Sequence, residues 1–186
     1  AVGNTLRIGG SSADNSTGIT ITNSGKIFST SAGVKSSVIF GNTNNSGTTI
    51  TNNAGAEIYS GGDISTIKVG STATITNRGS IKNNTSTSDN VIELLGSNNT
   101  VTLEEGSILV GKISSGSGTS GNTLKLNLGA GQGYFYETVG DFTLQDLDGN
   151  QVVKGSAGSV GQGGSETLDE LLSYKSLNLR QFFKKY

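Results

Sequence analysis

The chain has 186 residues and a formal net charge of −1, with 29 glycines, 32% hydrophobic and 6% aromatic residues, and neither cysteine nor histidine. Without cysteine there is no disulfide and no thiolate metal site, and without histidine the commonest general base and metal ligand is missing. A near-neutral chain with no basic cluster ahead of its C-terminus gives nucleic acid no electrostatic footing, and no stretch approaches the roughly 20 apolar residues of a membrane-spanning helix.

In chain order, Leu6-Arg7-Ile8-Gly9 is an apolar-x-apolar strand closed by glycine, and a loop with Ser11, Ser12, Ala13, Asp14, Asn15 and Ser16 follows. Then come Thr20-Ile21-Thr22-Asn23 and, after Gly25, Ile27. The phrases return as Val38-Ile39-Phe40-Gly41, Thr49-Ile50-Thr51-Asn52 and Ile58, and again as Ile67-Lys68-Val69-Gly70, Thr74-Ile75-Thr76-Asn77 and Ile81. A fourth, worn set has Ile92 and Leu94 as the inward pair, Thr100-Val101-Thr102-Leu103, and Ile108; Leu124-Lys125-Leu126 reads as one more copy of the first phrase. The central isoleucines and valine recur at steps of 29, 25 and 26 residues, the step of a solenoid.

Alternation of two turns Ile21, Ile50, Ile75 and Val101 inward and their threonines outward. No helical spacing precedes residue 165. Three short strands per unit, joined by Gly, Asn and Ser, predict an all-β fold, a right-handed parallel β-helix over residues 1–129. Asn23, Asn52 and Asn77 fall at one corner of successive coils, where stacked amides form an internal ladder; the competing role is a turn residue that tolerates left-handed geometry. Lys35, Asp63 and Asp89 fall in loops, and 116–121 is a flexible Gly/Ser insertion where recognition can occur.

The repeat is expected to stop near Gly129. Residues 130–155 then read as an antiparallel β cap, from Tyr134–Val139, Phe142–Leu147 and Asn150–Lys154, with Asp148-Gly149 as a hairpin turn. Residues 156–164 read as a Gly-rich linker, and 165–186 as a short amphipathic helix with Thr167 and Glu170 as its capping box. That helix packs on the solenoid, leads toward a membrane pore, or meets a partner or membrane.

The acids Asp14, Glu57, Asp63, Asp89, Glu93, Glu104 and Glu105 are scattered, and Glu104 and Glu105 on one strand point to opposite faces, a poor acid/base pair. Asp146-x-Asp148-Gly149-Asn150 lacks the spacing of a calcium loop and reads as a turn. No residue stands out as catalytic, cofactor-binding or metal-ligating, and the chain is not expected to be an enzyme. The pairs Thr20/Thr22, Thr49/Thr51, Thr74/Thr76 and Thr100/Thr102 form two outward rows that resemble the arrays of some ice-binding β-solenoids.

The I-T-N-x-G-x-I texture, followed by the aromatic strands and D-G turn of 133–153, resembles the C-terminal part of a type V autotransporter passenger domain from a Gram-negative bacterium. The resemblance implies a β-helix stem with an autochaperone-like cap that aids folding on secretion. It also implies the protein's own outer-membrane β-barrel as partner, a cell-surface or secreted location, and a host-cell or surface glycan or protein as ligand. Ala1-Val2-Gly3 opens in mid-pattern without a signal peptide, so the chain reads as a fragment. Two other readings are a β-helical polysaccharide-active or carbohydrate-binding protein and a threonine-array ice-binding solenoid.

Overall fold

The structure, a computed structural model, describes residues 5–9, 15–30, 37–62, 64–83, 89–129 and 136–147 and the backbone of 155–156. The chain winds as a β-solenoid. The first coil holds β1 (Leu6–Arg7), β2 (Thr20–Asn23) and β3 (Lys26–Ser29); the second holds β4 (Ile39–Phe40), β5 (Thr49–Asn52) and β6 (Glu57–Ser60). The third consists of β7 (Ile67–Val69), β8 (Thr74–Asn77) and β9 (Ser80–Asn83), and the fourth of β10 (Asn90–Leu94), β11 (Thr100–Glu104) and β12 (Ile108–Val110). Among the described residues the next coils hold β13 (Lys112–Ser115) with β14 (Thr123–Asn127) and β15 (Glu137–Val139) with β16 (Thr143–Asp146), before β17 (Gly155–Ser156).

Every pairing among these strands is parallel, and each strand lies on its counterpart in the next coil. The result is three sheets, with strand orders β1-β4-β7-β10-β13-β15-β17, β2-β5-β8-β11-β14-β16 and β3-β6-β9-β12, here called the first, second and third sheets. Alternation drives the stacking. A single coil cannot bury its apolar row, whereas stacked coils join the rows into one column. Ile39, Ile67, Ile92 and Ile113 line the first sheet, Ile50, Ile75, Val101 and Leu124 the second, and Ile58 and Ile81 the third, all fully buried. Each such side chain contributes about 1.5–3 kcal/mol.

The amide ladder is present. Asn23 Nδ2 donates to Asn52 Oδ1 at 2.9 Å, and Asn52 Nδ2 to Asn77 Oδ1 at 2.9 Å. Each amide also reaches a backbone carbonyl of the next coil: Glu57 O for Asn23, Ser80 O for Asn52 and Ile108 O for Asn77. Gly79 makes room for this, because a Cβ there would run into Ala56 O and the Asn52 amide.

Four sequence expectations change. Leu124-Lys125-Leu126 belongs to the second sheet, since Thr123 pairs with Thr100 and Leu124 with Val101; the first-sheet strand of that coil is β13, which the apolar pattern misses because Ser114 and Ser115 follow Ile113. Ile108 faces outward, 50% exposed, and Leu109 takes the place over Ile81. Gly106 turns the chain at positive φ as Gly55 does, so Ile108 matches outward Glu57 and Leu109 matches Ile58 through their shared partners Ser80 and Ile81.

The strands expected to form an antiparallel cap instead pair in parallel, β15 on β13 and β16 on β14, so the solenoid continues past Gly129 to residue 147. The reason is local. Thr143-Leu144-Gln145 repeats the pattern of Thr123-Leu124-Lys125, so Leu144 extends the inner row over an edge already waiting. The backbone of Gly155–Ser156 adds to β15 in the same sense. Finally, 116–121 is a hydrogen-bonded corner: Thr119 donates through N and Oγ1 to Gly116 O, and Asn122 Nδ2 donates to Thr119 Oγ1. The Asp148-Gly149 hairpin, the linker 156–164 and the helix 165–186 lie outside the described residues.

Candidate functional site

Each of the first four coils turns three faces outward, and their chemistry differs. On the first sheet the Arg7 guanidinium lies 5.6 Å over the Phe40 ring. Lys68 Nζ meets Glu93 Oε2 at 2.7 Å, Ser65 Oγ donates to the same oxygen at 2.7 Å, and Lys112 stands 3.9 Å from Glu137. On the third sheet Glu57 is held by Lys26 at 3.3 Å and Lys82 at 3.5 Å, one cation from the coil on either side. The hydrogen bond from Lys26 is the main reason that the Glu57 carboxyl lies below the usual carboxylate range, with the charges of Lys26 and Lys82 adding to it. Phe28 and Tyr59 are register partners on this same face.

The second sheet is different. Thr20, Thr49, Thr74, Thr100, Thr123 and Thr143 pair in sequence, an outward column six coils deep. Thr22, Thr51, Thr76 and Thr102 form a second column, which Lys125 and Gln145 then continue. No hydrogen bond among the described residues takes up any of these ten hydroxyls. No charged side chain interrupts either column before Lys125. Glu104 ends β11 on this same face, one outward position beyond Thr102; it lies 3.6 Å from Arg78 and accepts from Asn127 Nδ2 at 2.6 Å.

The structure gathers the four predicted threonine pairs onto one face. Sequence reading missed Thr123 and Thr143, although Thr-Leu-x repeats the Thr-Ile-Thr and Thr-Val-Thr signal. The acids are not gathered: Glu57, Glu93, Glu104 and Glu137 occupy different faces or heights, each beside its own cation. β11 ends at Glu104, so Glu105 lies exposed in the turn and not on the inner side of a strand. Asp14, Lys35, Asp63 and Asp148 lie outside the described residues. Among the described residues no three acidic, histidine or cysteine side chains group to hold a metal ion, and no helix is long and apolar enough to cross a membrane. Comparison with protein-family profiles, with curated proteins and with solved structures found no match.

Proposed function

We propose that this chain is a non-enzymatic β-solenoid stem of the autotransporter-passenger kind, carried to a Gram-negative cell surface or secreted, where its coils display loops for adhesion or hold an effector. One observation carries the reading. Along the row Ile21, Ile50, Ile75, Val101, Leu124 and Leu144 the coil shortens through 29, 25, 26, 23 and 20 residues, yet the inner row stays in register. A stem of this build absorbs length changes in its outer loops while the buried column is untouched, which suits display. The end piece after Gly129 is the folding element of this proposal: β15 and β16 offer a formed edge on which earlier coils stack. In this proposal the chain beyond β17 leads toward a barrel pore.

The test is surface display. The chain, fused ahead of an outer-membrane β-barrel in a Gram-negative host, is expected to reach the surface as a protease-resistant unit on intact cells. Retention in the periplasm, with the purified chain folding normally by circular dichroism, would sink the proposal.

A further inference from the structure

The outward residues of the three sheets sit on the same kind of inner scaffold but differ in regularity. The first sheet turns Arg7, Phe40, Lys68 and Glu93 outward at one position, and the third turns Phe28, Tyr59, Lys82 and Val110. The fold therefore tolerates varied outward side chains. Threonine's strand propensity acts on all three sheets alike, so it does not explain why one sheet repeats threonine and the other two do not. Something outside folding is served by that face.

The chemistry of the face narrows the partner. It has no lysine or arginine over the first four coils, which leaves nucleic acid and acidic surfaces without an anchor. The aromatic and arginine residues that dominate protein interfaces, and the rings on which sugars stack, are on the other two sheets. What remains is a rigid lattice of hydroxyls and methyls. Each hydroxyl both donates and accepts, and the β-branched side chain is stiff at χ1. Strand geometry sets the lattice at about 4.8 Å between coils and about 6.5–7 Å along a strand. The register irregularity between β10 and β13 lies in the first sheet, and the pairings of the second run without one.

We infer that the threonine face of the second sheet binds ordered water, that is, the surface of ice. The hydroxyls take positions of lattice water and the methyls fill the spaces between them. Unlike a dissolved ligand, ice repeats in two dimensions, as this face does, and carries no charge. The inference stands independently of the passenger proposal, since a stem at a cell surface and a soluble solenoid would present the same face.

The experiment uses the purified full chain. Thermal hysteresis and inhibition of ice recrystallisation are measured, and binding to microcrystalline cellulose and chitin is measured alongside. The wild type is expected to facet ice crystals and slow recrystallisation. Thr51→Lys with Thr76→Lys is expected to abolish both effects with an unchanged melting curve, whereas Phe28→Ser on the third sheet leaves them intact. Lys125→Thr, which lengthens the second column from four threonines to five, is expected to increase the hysteresis; it keeps the test decisive should the double lysine variant fail to fold. Absence of any effect of the wild type on ice, or no response to Lys125→Thr, overturns the inference. Binding to cellulose or chitin without ice activity overturns it too and makes the face a glycan surface.

Discussion

Asn52 sits at the centre of the amide ladder, and its replacement separates hydrogen bonding from shape. Its side chain accepts from Asn23 Nδ2 at 2.9 Å and donates to Asn77 Oδ1 at 2.9 Å and Ser80 O at 3.1 Å, and it is fully buried. Three buried hydrogen bonds at about 1 kcal/mol each make Asn52→Ala cost about 3 kcal/mol. Asn52→Leu loses the same bonds but regains about 1.5–3 kcal/mol of aliphatic burial, and Leu103 in the fourth coil stands where a leucine packs against Asn77 in register. The leucine variant should therefore cost about 0–1.5 kcal/mol. For a chain of this size, about 1 kcal/mol moves Tm by about 2–4 °C, so alanine should lower Tm by about 6–12 °C and leucine by only a few degrees. A cycle with Asn23→Ala should return a coupling of about 1 kcal/mol for the direct amide pair. Equal melting of Asn52→Ala and wild type, or zero coupling, would refute the ladder as a source of stability.

Three further outcomes follow from particular side chains. Ile108→Ser should leave the melting temperature nearly unchanged, because that side chain is 50% exposed, whereas Leu109→Ser should cost about 2 kcal/mol; a reversed order would restore Ile108 to the core. Tyr136 is buried with no hydrogen-bond partner for its hydroxyl among the described residues, and burial pushes its phenol up to about 12 from 10.0. The folded state thus favours the protonated ring: its contribution is whole below pH 10 and lost as pH rises toward 12, a difference on the order of 3 kcal/mol. Tyr136→Phe should remove that loss from alkaline melts and be no less stable at neutral pH. Glu57 behaves oppositely: its carboxyl is lowered from 4.5, so its contribution is present above that pH and disappears as pH falls through the lowered value. Glu57→Gln should flatten the acid limb of the stability profile by under about 1 kcal/mol, as expected for a partly exposed pair; an unchanged limb would show that the flanking lysines do nothing for it.

Much of this fold is legible in the sequence because alternation and repetition act together. Thr-Ile-Thr-Asn at steps near 25 residues gives the period, the inward row and the corner that Asn occupies. What escaped the reading is where the pattern is carried by fewer apolar residues. Ile113 stands alone before two serines, so β13 is invisible to an apolar-x-apolar template. Ile108 was misplaced by counting from the nearest isoleucine and not from the positive-φ glycine, which aligns Gly106 with Gly55. The parallel sense of β15 and β16 depends on an available edge, a property of the stack that no local stretch encodes. The threonine face was half legible: its chemistry was in the sequence, but its depth of six coils depended on seeing Thr123 and Thr143 in register.

The ladder also stops and restarts, and this bears on how coil order is specified. Inner rows of Ile, Val and Leu are nearly interchangeable from coil to coil, so apolar packing alone does little to prevent one coil from pairing with the wrong neighbour. Amide pairs are more particular, because a mispaired buried amide is left without its bonds. Where Leu103 ends the first ladder, Asn99 appears at the other end of the same strand. Its Oδ1 accepts from Ala73 N at 2.7 Å, and its Nδ2 donates to Gly96 O at 2.8 Å and Asn122 Oδ1 at 3.0 Å. The amides therefore change corners at the fourth coil and stitch the third coil to the fourth and the fourth to the fifth. Asn99→Ala should open a local weakness there, since the buried Ala73 N–H loses its acceptor across the coil boundary. Native-state hydrogen exchange is the discriminating measurement: the Ala73 amide should lose protection, while the Ile50 and Ile58 amides in the second coil keep theirs. Unchanged protection at Ala73 would mean that the apolar rows alone hold the coils in order, and the shift of the ladder from one corner to the other would then have no role in register.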